Sequence, residues 1–274
     1  VINNDLLLKY LPFINNDNSK GEYTITDIVE LLAKDKHKVG TFTIEEQYKM
    51  AGINDLHQLS KVEREFRKAI NKKHMLNGVS IINPDTVTIG PDVVIEHGAI
   101  IYPGSCLFGK CLISSGAVIG PNTELNDVVV KENAKVFHSM VSDATIKEDS
   151  FIGPFTYIRD GVIIGENTRV GAFVEVKHST IGDNTFASHL SYIGDAEVGN
   201  NVNYGCGCIT ANFDGVNKHK TIIKDNAFVG CNSNLIAPLV VGENAFIASG
   251  TTVTEDVNDS SFVIGRSKMI QKEK

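Results

Sequence analysis

The sequence lacks a long hydrophobic segment, because no apolar run approaches the roughly 18 residues that a membrane span needs. It also lacks the pattern of a secretory signal. Its 26 Lys and Arg are outnumbered by 33 Asp and Glu, which gives a net charge of −7. These features argue against membrane insertion, and the negative charge argues against nucleic acid or an anionic membrane as a partner. We expect a cytoplasmic protein.

The chain also lacks CxxC pairs and any histidine spacing typical of a zinc site. Its five cysteines are therefore expected to be small, half-buried residues in a reducing compartment; they are Cys106, Cys111, Cys206, Cys208 and Cys231. The first residue is Val1 rather than Met, as expected of a fragment or a processed product.

What the sequence does contain is an aliphatic residue at every sixth position, in three long runs. Neither an α-helix nor an ordinary strand has this period, whereas hexapeptide repeats are typical of a parallel β-helix. A small residue often follows the aliphatic one, as at Gly153 and Gly165, where a side chain would crowd a corner or a positive φ is needed. The runs are Ile89, Ile95, Ile101, Leu107, Ile113, Ile119 and Leu125; Ile152, Ile158, Ile164, Val170 and Val176; and Val229, Leu235, Val241, Ile247 and Val253.

Three six-residue faces close one triangular coil, and stacked coils place the aliphatic side chains in a continuous column. Residues 79–274 are expected to form this domain, with roughly ten coils spaced ~4.8 Å apart. The repeat is weaker between Asp127 and Asp149. It is broken at 211–220, where ten polar or turn-forming residues are expected to leave the column as a loop.

Two segments precede the solenoid. Residues 1–53 lack the six-residue repeat, and we expect short helices at Leu6–Leu11 and from Thr26 to Lys34, with a strand at Val39–Ile44. Residues 54–78 form the most helical stretch, in which Leu56, Leu59, Val62, Phe66 and Ile70 mark an apolar side and Gly78 a stop. We expect a linker helix there.

Several segments together resemble one bacterial family. That family is the bifunctional N-acetylglucosamine-1-phosphate uridyltransferase / glucosamine-1-phosphate N-acetyltransferase, and the resemblance covers nearly the whole chain. It implies a mainly β, left-handed parallel β-helix, and it identifies residues 1–53 as the end of the nucleotidyltransferase domain. The segments are IGPFTYIRDG, VGAFVEVKHSTIG, ASHLSYIGDAEVGNNVNYGCGCITANFDG, AFVGCNSNLIAPLVVGENAFIASGTTVTEDV, GEYTITDI and AGINDLHQLSKVE.

The activity implied is transfer of acetyl from acetyl-CoA to the amine of glucosamine 1-phosphate, on the route to UDP-N-acetylglucosamine for cell-wall precursors. The resemblance also implies a homotrimer with active sites between neighbours. An ammonium group is not nucleophilic, so the reaction needs a base, and a histidine suits neutral pH. His189 matches the family's base, and Glu175, close to one coil earlier, is expected to orient its imidazole.

Sugar-phosphate binding is assigned to Arg159 and Lys177, which are one coil apart and each follow a column residue. Asp160 stands where the family more often has a proline. Tyr192 and Asn203 also match sugar-binding positions, although Asn203 could instead stack in an internal asparagine ladder.

The resemblance further assigns acetyl-CoA binding to six positions. Cys206 and Cys231 replace what are typically Ala and Ser, and Ser249 replaces Ala. A covalent cysteine mechanism is not expected, because direct attack by the amine needs no thiol. The six positions are Cys206, Asn212, Phe213, Cys231, Ser249 and Arg266.

Asn54 resembles a uridyltransferase position that helps hold Mg²⁺, but it could equally be the N-cap of the long helix. The family's glycine-rich nucleotide-binding segment is missing from this sequence, so uridylyl transfer is expected only in a longer form. Two other readings stay open for the chain. One is a catalytically silent solenoid scaffold, and the other is a hexapeptide acyltransferase that acts on a different amine or hydroxyl.

Overall fold

The computed structural model describes residues 1–273 and divides the chain into two compact units, with the boundary between Ile53 and Asn54. The first unit contains helices α1 (Asn4–Tyr10) and α2 (Asp27–Lys34) and two short 3₁₀ turns, Leu11–Phe13 and Gln47–Met50. Its buried core consists of Tyr10, Ile28 and Leu32. No helix in the described part of the chain has the length and hydropathy needed to cross a membrane.

The strand predicted at Val39–Ile44 is wrong, because this segment forms no regular secondary structure. A strand is stabilised by hydrogen bonds to a neighbour, and no strand is present among residues 1–53 to pair with it. Val39 and Phe42 are accordingly exposed.

The second unit begins with α3 (Leu56–Leu76), which confirms the predicted long helix. Its N-cap is Asp55 rather than Asn54: the Asp55 carboxylate accepts a hydrogen bond from Gln58 N at 2.7 Å, and the Gln58 side-chain oxygen accepts one from Asn54 N at 2.8 Å. The helix ends at Leu76 with Asn77 as its C-cap, and Gly78 follows with a φ of 85° that suits glycine. Near this end the buried Asn71 donates to the carbonyls of Pro84 and Val87, so the helix is fastened to the first coil.

The solenoid has three faces of parallel strands. A turn at Pro84–Thr86 lies in the first coil. Face A is an eleven-stranded sheet, and its ten steps confirm the expected number of coils. Two long strands, β8 (Glu124–Val130) and β10 (Met140–Ile146), span faces B and C in the region where the repeat is weak.

The remaining strands each belong to one face. Face A contains β1 (Ser80–Ile81), β4 (Ile100–Ile101), β7 (Val118–Ile119), β9 (Lys135–Val136), β11 (Phe151–Ile152), β14 (Arg169–Ala172), β17 (Phe186–His189), β20 (Asn203–Tyr204), β23 (Phe228–Val229), β26 (Phe246–Ile247) and β28 (Phe262–Val263). Face B contains β2 (Thr88–Ile89), β5 (Cys106–Phe108), β12 (Tyr157–Arg159), β15 (Glu175–Lys177), β18 (Tyr192–Gly194), β21 (Ile209–Ala211), β24 (Asn234–Ile236) and β27 (Thr252–Val253). Face C contains β3 (Val94–Ile95), β6 (Leu112–Ile113), β13 (Val162–Ile164), β16 (Thr180–Ile181), β19 (Ala196–Val198), β22 (Thr221–Ile223) and β25 (Leu239–Val241).

The six-residue repeat positions form the core. Ile158, Ile164 and Val176 are fully buried inside the coils. Buried hydroxyl groups add hydrogen bonds between coils, since Thr168 donates to the Gly182 carbonyl at 2.7 Å and Thr185 to the Gly199 carbonyl at 2.8 Å. These bonds satisfy backbone groups at the corners that water cannot reach.

Both reasons for small residues after the core positions are observed. A Cβ on Gly165 would lie 2.4 Å from the backbone of Gly182 on the next coil, so crowding excludes a side chain there. Gly153 has a φ of 106°, which other residues rarely adopt. Many of the other left-handed corners are occupied by asparagine, as at Asn167 and Asn184, because its short polar side chain tolerates that conformation.

The predicted break in the repeat also appears as an enlarged coil. Phe186 pairs with Asn203, 17 positions later, whereas Asn203 pairs with Phe228, 25 positions later. The additional residues form the loop between β21 and β22, which we call the insertion loop (residues 212–220).

Ile164 and Ile163 allow a matched test of the core. They are neighbours in β13, but Ile164 is fully buried and Ile163 is 41% exposed. We expect Ile164→Ala to lower the free energy of unfolding by about 2–5 kcal/mol, because it leaves a cavity between coils. Ile163→Ala should change it by no more than about 0.5 kcal/mol. Urea denaturation of both variants measures the difference, and equal effects would contradict the assignment of the core.

Candidate active site

The two predicted phosphate-binding cations lie next to each other on face B. Arg159 pairs with Lys177 in the register between β12 and β15, and each directly follows a fully buried residue, Ile158 or Val176. Their side chains therefore leave the same face of successive coils. The predicted juxtaposition of the two residues is confirmed.

Carboxylates surround this pair. Arg159 donates to Glu175 at 2.7 Å and to Asp160 at 2.8 Å, and Lys177 lies 3.8 Å from the same Asp160 oxygen. Desolvation lowers the pKa of Arg159, but these hydrogen bonds outweigh it and raise the pKa above its usual value. Asp160 thus supplies a negative charge to both cations.

Glu175 contacts Arg159 rather than the predicted His189. It pairs in register with Tyr192, three residues beyond His189 and around a corner of the coil. Within residues 1–273 of one chain, no hydrogen bond joins Glu175 to His189. The prediction that Glu175 orients the imidazole of His189 therefore stays a prediction, because the two side chains form no hydrogen bond within a single chain.

The insertion loop brings a third cation to this region, one to which sequence reasoning assigned no role. Lys218 lines the same cavity as Lys177, and the neighbouring Lys177 ammonium lowers the pKa of Lys218. They border a cavity of about 620 Å³ together with His178, His219 and Lys220. Adjacent ammonium groups repel each other, and nearby anions reduce this repulsion; the carboxylates of Asp195 and Glu197 also line the cavity.

The loop itself is ordered by a local turn. Asp214 accepts backbone hydrogen bonds from Asn217 at 2.6 Å and Val216 at 2.7 Å, and its other oxygen lies 2.7 Å from His219 Nε2. These bonds hold the pKa of Asp214 well below its usual range. Phe213 and Lys218 form an antiparallel bridge across the turn, which fixes where Lys218 leaves the loop.

Asp195 anchors the loop to the solenoid, a contact that the sequence did not reveal. It is only 9% exposed, accepts a hydrogen bond from the Asn212 side chain, and lies 2.8 Å from His178 Nδ1. Desolvation raises the pKa of Asp195, but the bonds from His178 and Asn212, with Lys218 and Lys177 nearby, outweigh it and lower the pKa. Asn212 also donates to the Tyr192 hydroxyl at 3.3 Å, so two predicted site residues meet here.

His189 occupies a different edge of the coil, the corner between faces A and B. It ends β17, is exposed, and precedes Leu190, whose φ of 46° turns the chain onto face B. Lys177 lies at the other end of face B, next to the corner at His178. We call Arg159, Lys177 and Lys218 the cation cluster. In one chain the predicted base His189 and the cation cluster therefore lie at opposite edges of face B.

Three of the predicted acetyl-CoA residues share the His189 corner. Phe186 and Ala187 pair with Asn203 and Tyr204, and continuing that register by two residues places His189 level with Cys206. The Cys206 carbonyl accepts from Asn232 N, and the Cys231 carbonyl accepts from Gly250 N, so Cys231 and Ser249 occupy the same corner position on the next two coils.

We call this row the corner column: His189, Cys206, Cys231 and Ser249. Arg266 joins it from the tail, because its guanidinium donates to the Ser249 carbonyl at 2.7 Å. The structure thus brings together four of the six predicted acetyl-CoA residues, whereas Asn212 and Phe213 lie in the insertion loop.

Asn203 lies on the outside of face A, between Phe186 and Phe228 in the register. It is half-buried and has aromatic rather than asparagine neighbours on the adjacent coils. The alternative of an internal asparagine ladder is therefore wrong for this residue. Its position three residues before Cys206 leaves it near the corner column.

Asn54, the predicted Mg²⁺ residue, is exposed, and its backbone N–H bonds to Gln58 in the start of α3. Within the described residues, no group of three or more His, Cys, Asp or Glu side chains could hold a metal ion. The described residues around Asn54 therefore do not form a magnesium site.

Replacing the Asp195 anchor tests its electrostatic role. We expect Asp195→Asn to lower the free energy of unfolding at pH 7 by about 1–3 kcal/mol, because an amide cannot accept the bonds from both His178 and Asn212. A carboxylate whose pKa is lowered by folding stabilises the folded state at pH values above the ordinary aspartate pKa. This stabilisation is lost as the pH falls through the pKa of the carboxyl group in the folded state. The difference between wild type and variant should therefore shrink below about pH 4.

Urea denaturation from pH 7 to pH 3 measures this dependence, with the exposed Asp92→Asn as the control. If the free energy of unfolding of Asp195→Asn were lower than that of the wild type by the same amount at every pH, the assigned role of the carboxylate would be contradicted.

Comparisons with known proteins agree with the hexapeptide solenoid. The family model "Bacterial transferase hexapeptide (six repeats)" matches residues 143–178 and 220–255. The chain is 50% identical over 273 residues to the Bifunctional protein GlmU of Acholeplasma laidlawii, covering 100% of this chain and 59% of that protein. It is 45% identical over 267 residues to the Bifunctional protein GlmU of Clostridium acetobutylicum, covering 97% of this chain and 58% of that protein.

Among solved structures, the UDP-N-acetylglucosamine acyltransferase from Campylobacter jejuni matches with 24% identity and a TM-score of 0.42, over 69% of this chain and 70% of that one. The chain spans a little under three fifths of the length of the curated relatives. The match to those relatives over 97–100% of the chain, together with the hexapeptide solenoid, shows that the chain belongs to the family of the bifunctional GlmU proteins, of which it represents the part that carries the solenoid.

Proposed function

We propose that this chain transfers the acetyl group of acetyl-CoA to the amine of glucosamine 1-phosphate. The observation that carries the proposal is the corner column, in which an exposed histidine stands level with small residues on the next three coils. A slender thioester can lie along such small residues and present its carbonyl carbon beside the imidazole.

His189 acts in this proposal as the general base. It removes a proton from the ammonium group of the sugar, and the free amine attacks the thioester carbon. The carbonyl oxygen becomes an oxyanion that backbone N–H groups can stabilise, and collapse of the intermediate expels CoA as its thiolate, which takes up a proton. No thiol of the protein takes part.

The cation cluster binds the phosphate of the acceptor. Arg159 offers a planar guanidinium, and Lys177 and Lys218 offer two mobile ammonium groups beside one cavity. Asp160 and Glu175 hold the Arg159 guanidinium in place through ion pairs at 2.8 and 2.7 Å. A sugar phosphate supplies both the anion for these cations and the amine for the base.

A homotrimer belongs to the same proposal. His189 and the cation cluster lie at opposite edges of face B within one chain, so an edge from a second copy can complete the site. An exposed apolar ridge beside His189 supports this arrangement: the rings of Phe155 and Phe173 stack at 5.2 Å, and Leu190 follows on the next coil. All three side chains are more than half exposed in the single chain.

The remaining elements of the proposal follow from family membership. Residues 1–53 are assigned to the end of a nucleotidyltransferase domain, 54–78 to a linker and 79–274 to the acetyltransferase domain. Uridylyl transfer with Mg²⁺ is assigned only to longer members of the family. A cytoplasmic location completes the assignment.

His189→Ala tests the base. We expect acetyl transfer to glucosamine 1-phosphate to fall by about a hundredfold or more, because no other group in the corner column can accept the proton. Loss of thioester absorbance measures the rate, and sedimentation checks that the oligomer is retained. The exposed His57→Ala, on α3, is the matched control. A correctly assembled variant that retains full activity would exclude His189 as the base, whereas an assembled wild-type oligomer without turnover would favour a silent scaffold or another acceptor.

Lys218→Met tests the third cation. We expect the KM for glucosamine 1-phosphate to rise about tenfold or more, since a charge-assisted hydrogen bond to phosphate is lost. The KM for acetyl-CoA should stay the same. Lys224→Met is the control, because Lys224 pairs with Asp259 at 3.2 Å outside this cavity. An unchanged KM for the sugar phosphate would remove Lys218 from the site.

A further inference from the structure

Two thiols stand on successive coils at the same corner position. Asn203 pairs with Phe228 and Tyr204 with Val229, so the same register places Cys206 level with Cys231. The hydrogen bond from Asn232 N to the Cys206 carbonyl, at 2.8 Å, shows that the register continues through the corner. The two cysteines are therefore neighbours across one coil-to-coil step.

The backbone separation at this step suits a disulfide. A Cβ built on Gly205 would lie 2.7 Å from Cys231 N, which shows how closely the two coils approach. Stacked strands lie ~4.8 Å apart, within the range of ~4.4–6.8 Å between the Cα atoms of disulfide-bonded cysteines.

Accessibility separates these two thiols from a third one nearby. Cys231 is exposed and Cys206 half-buried, whereas Cys208 is buried and donates to the Gly230 carbonyl. Burial raises the pKa of Cys208 to about 11, so at neutral pH it is almost wholly the unreactive thiol. Of the three, only Cys206 and Cys231 can meet a reagent from solution.

We propose that Cys206 and Cys231 form a reversible disulfide when the protein meets a small-molecule disulfide such as oxidised glutathione. The thiolate of one cysteine attacks the reagent's S–S bond, forms a mixed disulfide and releases one thiol. The second cysteine then attacks the mixed disulfide and releases the other thiol. Two protein thiols are oxidised and one disulfide is reduced to two thiols.

The bond is readily reversed because of its geometry. Side chains on stacked coils project in parallel, so their Cβ atoms are about as far apart as the strands, ~4.8 Å, which is wider than the ~3.5–4.5 Å of relaxed disulfides. Strained and exposed disulfides have more oxidising potentials and are the labile ones. Ordinary dithiol reductants therefore restore both thiols.

The consequence for activity rests on the proposed function. Cys206 and Cys231 lie in the corner column directly beyond His189, where the thioester is assigned. Drawing their side chains together across this row obstructs the path of acetyl-CoA. Oxidation should thus switch off acetyl transfer without involving the sugar-phosphate cations.

The bond itself is tested without any activity measurement. The full chain is treated with oxidised glutathione, the excess is removed, and intact mass and non-reducing peptide mapping are recorded. We expect loss of two hydrogen masses, a crosslink between the peptides that contain Cys206 and Cys231, and reversal by dithiothreitol. Cys231→Ser should yield a glutathione adduct on Cys206 and no crosslink, whereas Cys106→Ser should retain the crosslink.

Two results would overturn the proposal: a stable glutathione adduct on wild-type protein with no crosslink, or a crosslink that involves Cys208. Thioester absorbance then provides the separate activity test. We expect the crosslinked protein to lose at least tenfold in acetyl transfer and to recover with dithiothreitol. A crosslinked protein with undiminished activity would refute the placement of acetyl-CoA on the corner column, while the disulfide would stand.

Discussion

Each coil of this solenoid depends on the coils above and below it, because none can bury its own aliphatic side chains. The buried residues contact their equivalents on neighbouring coils, and backbone hydrogen bonds and corner hydroxyls connect the same levels. Close approaches at positions such as Gly165 leave no room for a shift along the strand. In-register stacking is therefore the constraint from which the rest of the structure follows.

The strand register determines which residues lie side by side on the surface of the solenoid. Residues one coil apart leave the same edge of the prism, which places Arg159 beside Lys177 and aligns His189 with Cys206. The enlarged coil departs from this regularity only on the outside, where the insertion loop is tied down by Asp195 through Asn212. The regular coils thus carry one irregular loop, whose Lys218 lies near Lys177. The same regularity stacks Cys206 on Cys231.

The sequence predicted most of the fold because the six-residue period directly reports which side chains are buried. It also predicted the adjacency of Arg159 and Lys177, since their spacing equals one coil. It failed at Val39–Ile44, because a strand requires a partner that a local pattern does not reveal. The cap at Asp55 rather than Asn54 was missed since neighbouring polar residues can both start a helix. The contacts of Lys218 and Asp195 depend on how an irregular loop folds back, and no periodicity encodes that path.

The central claim is that one face of the stacked coils holds the acceptor's phosphate at one edge and the acetyl donor at the other. The most direct measurement is a crystal structure of the chain with CoA and glucosamine 1-phosphate bound. The account predicts the phosphate between Arg159, Lys177 and Lys218, and the CoA sulfur along the row formed by His189, Cys206, Cys231 and Ser249. Ligands bound away from these two edges, or a sugar amine remote from every His189 in the assembly, would contradict it.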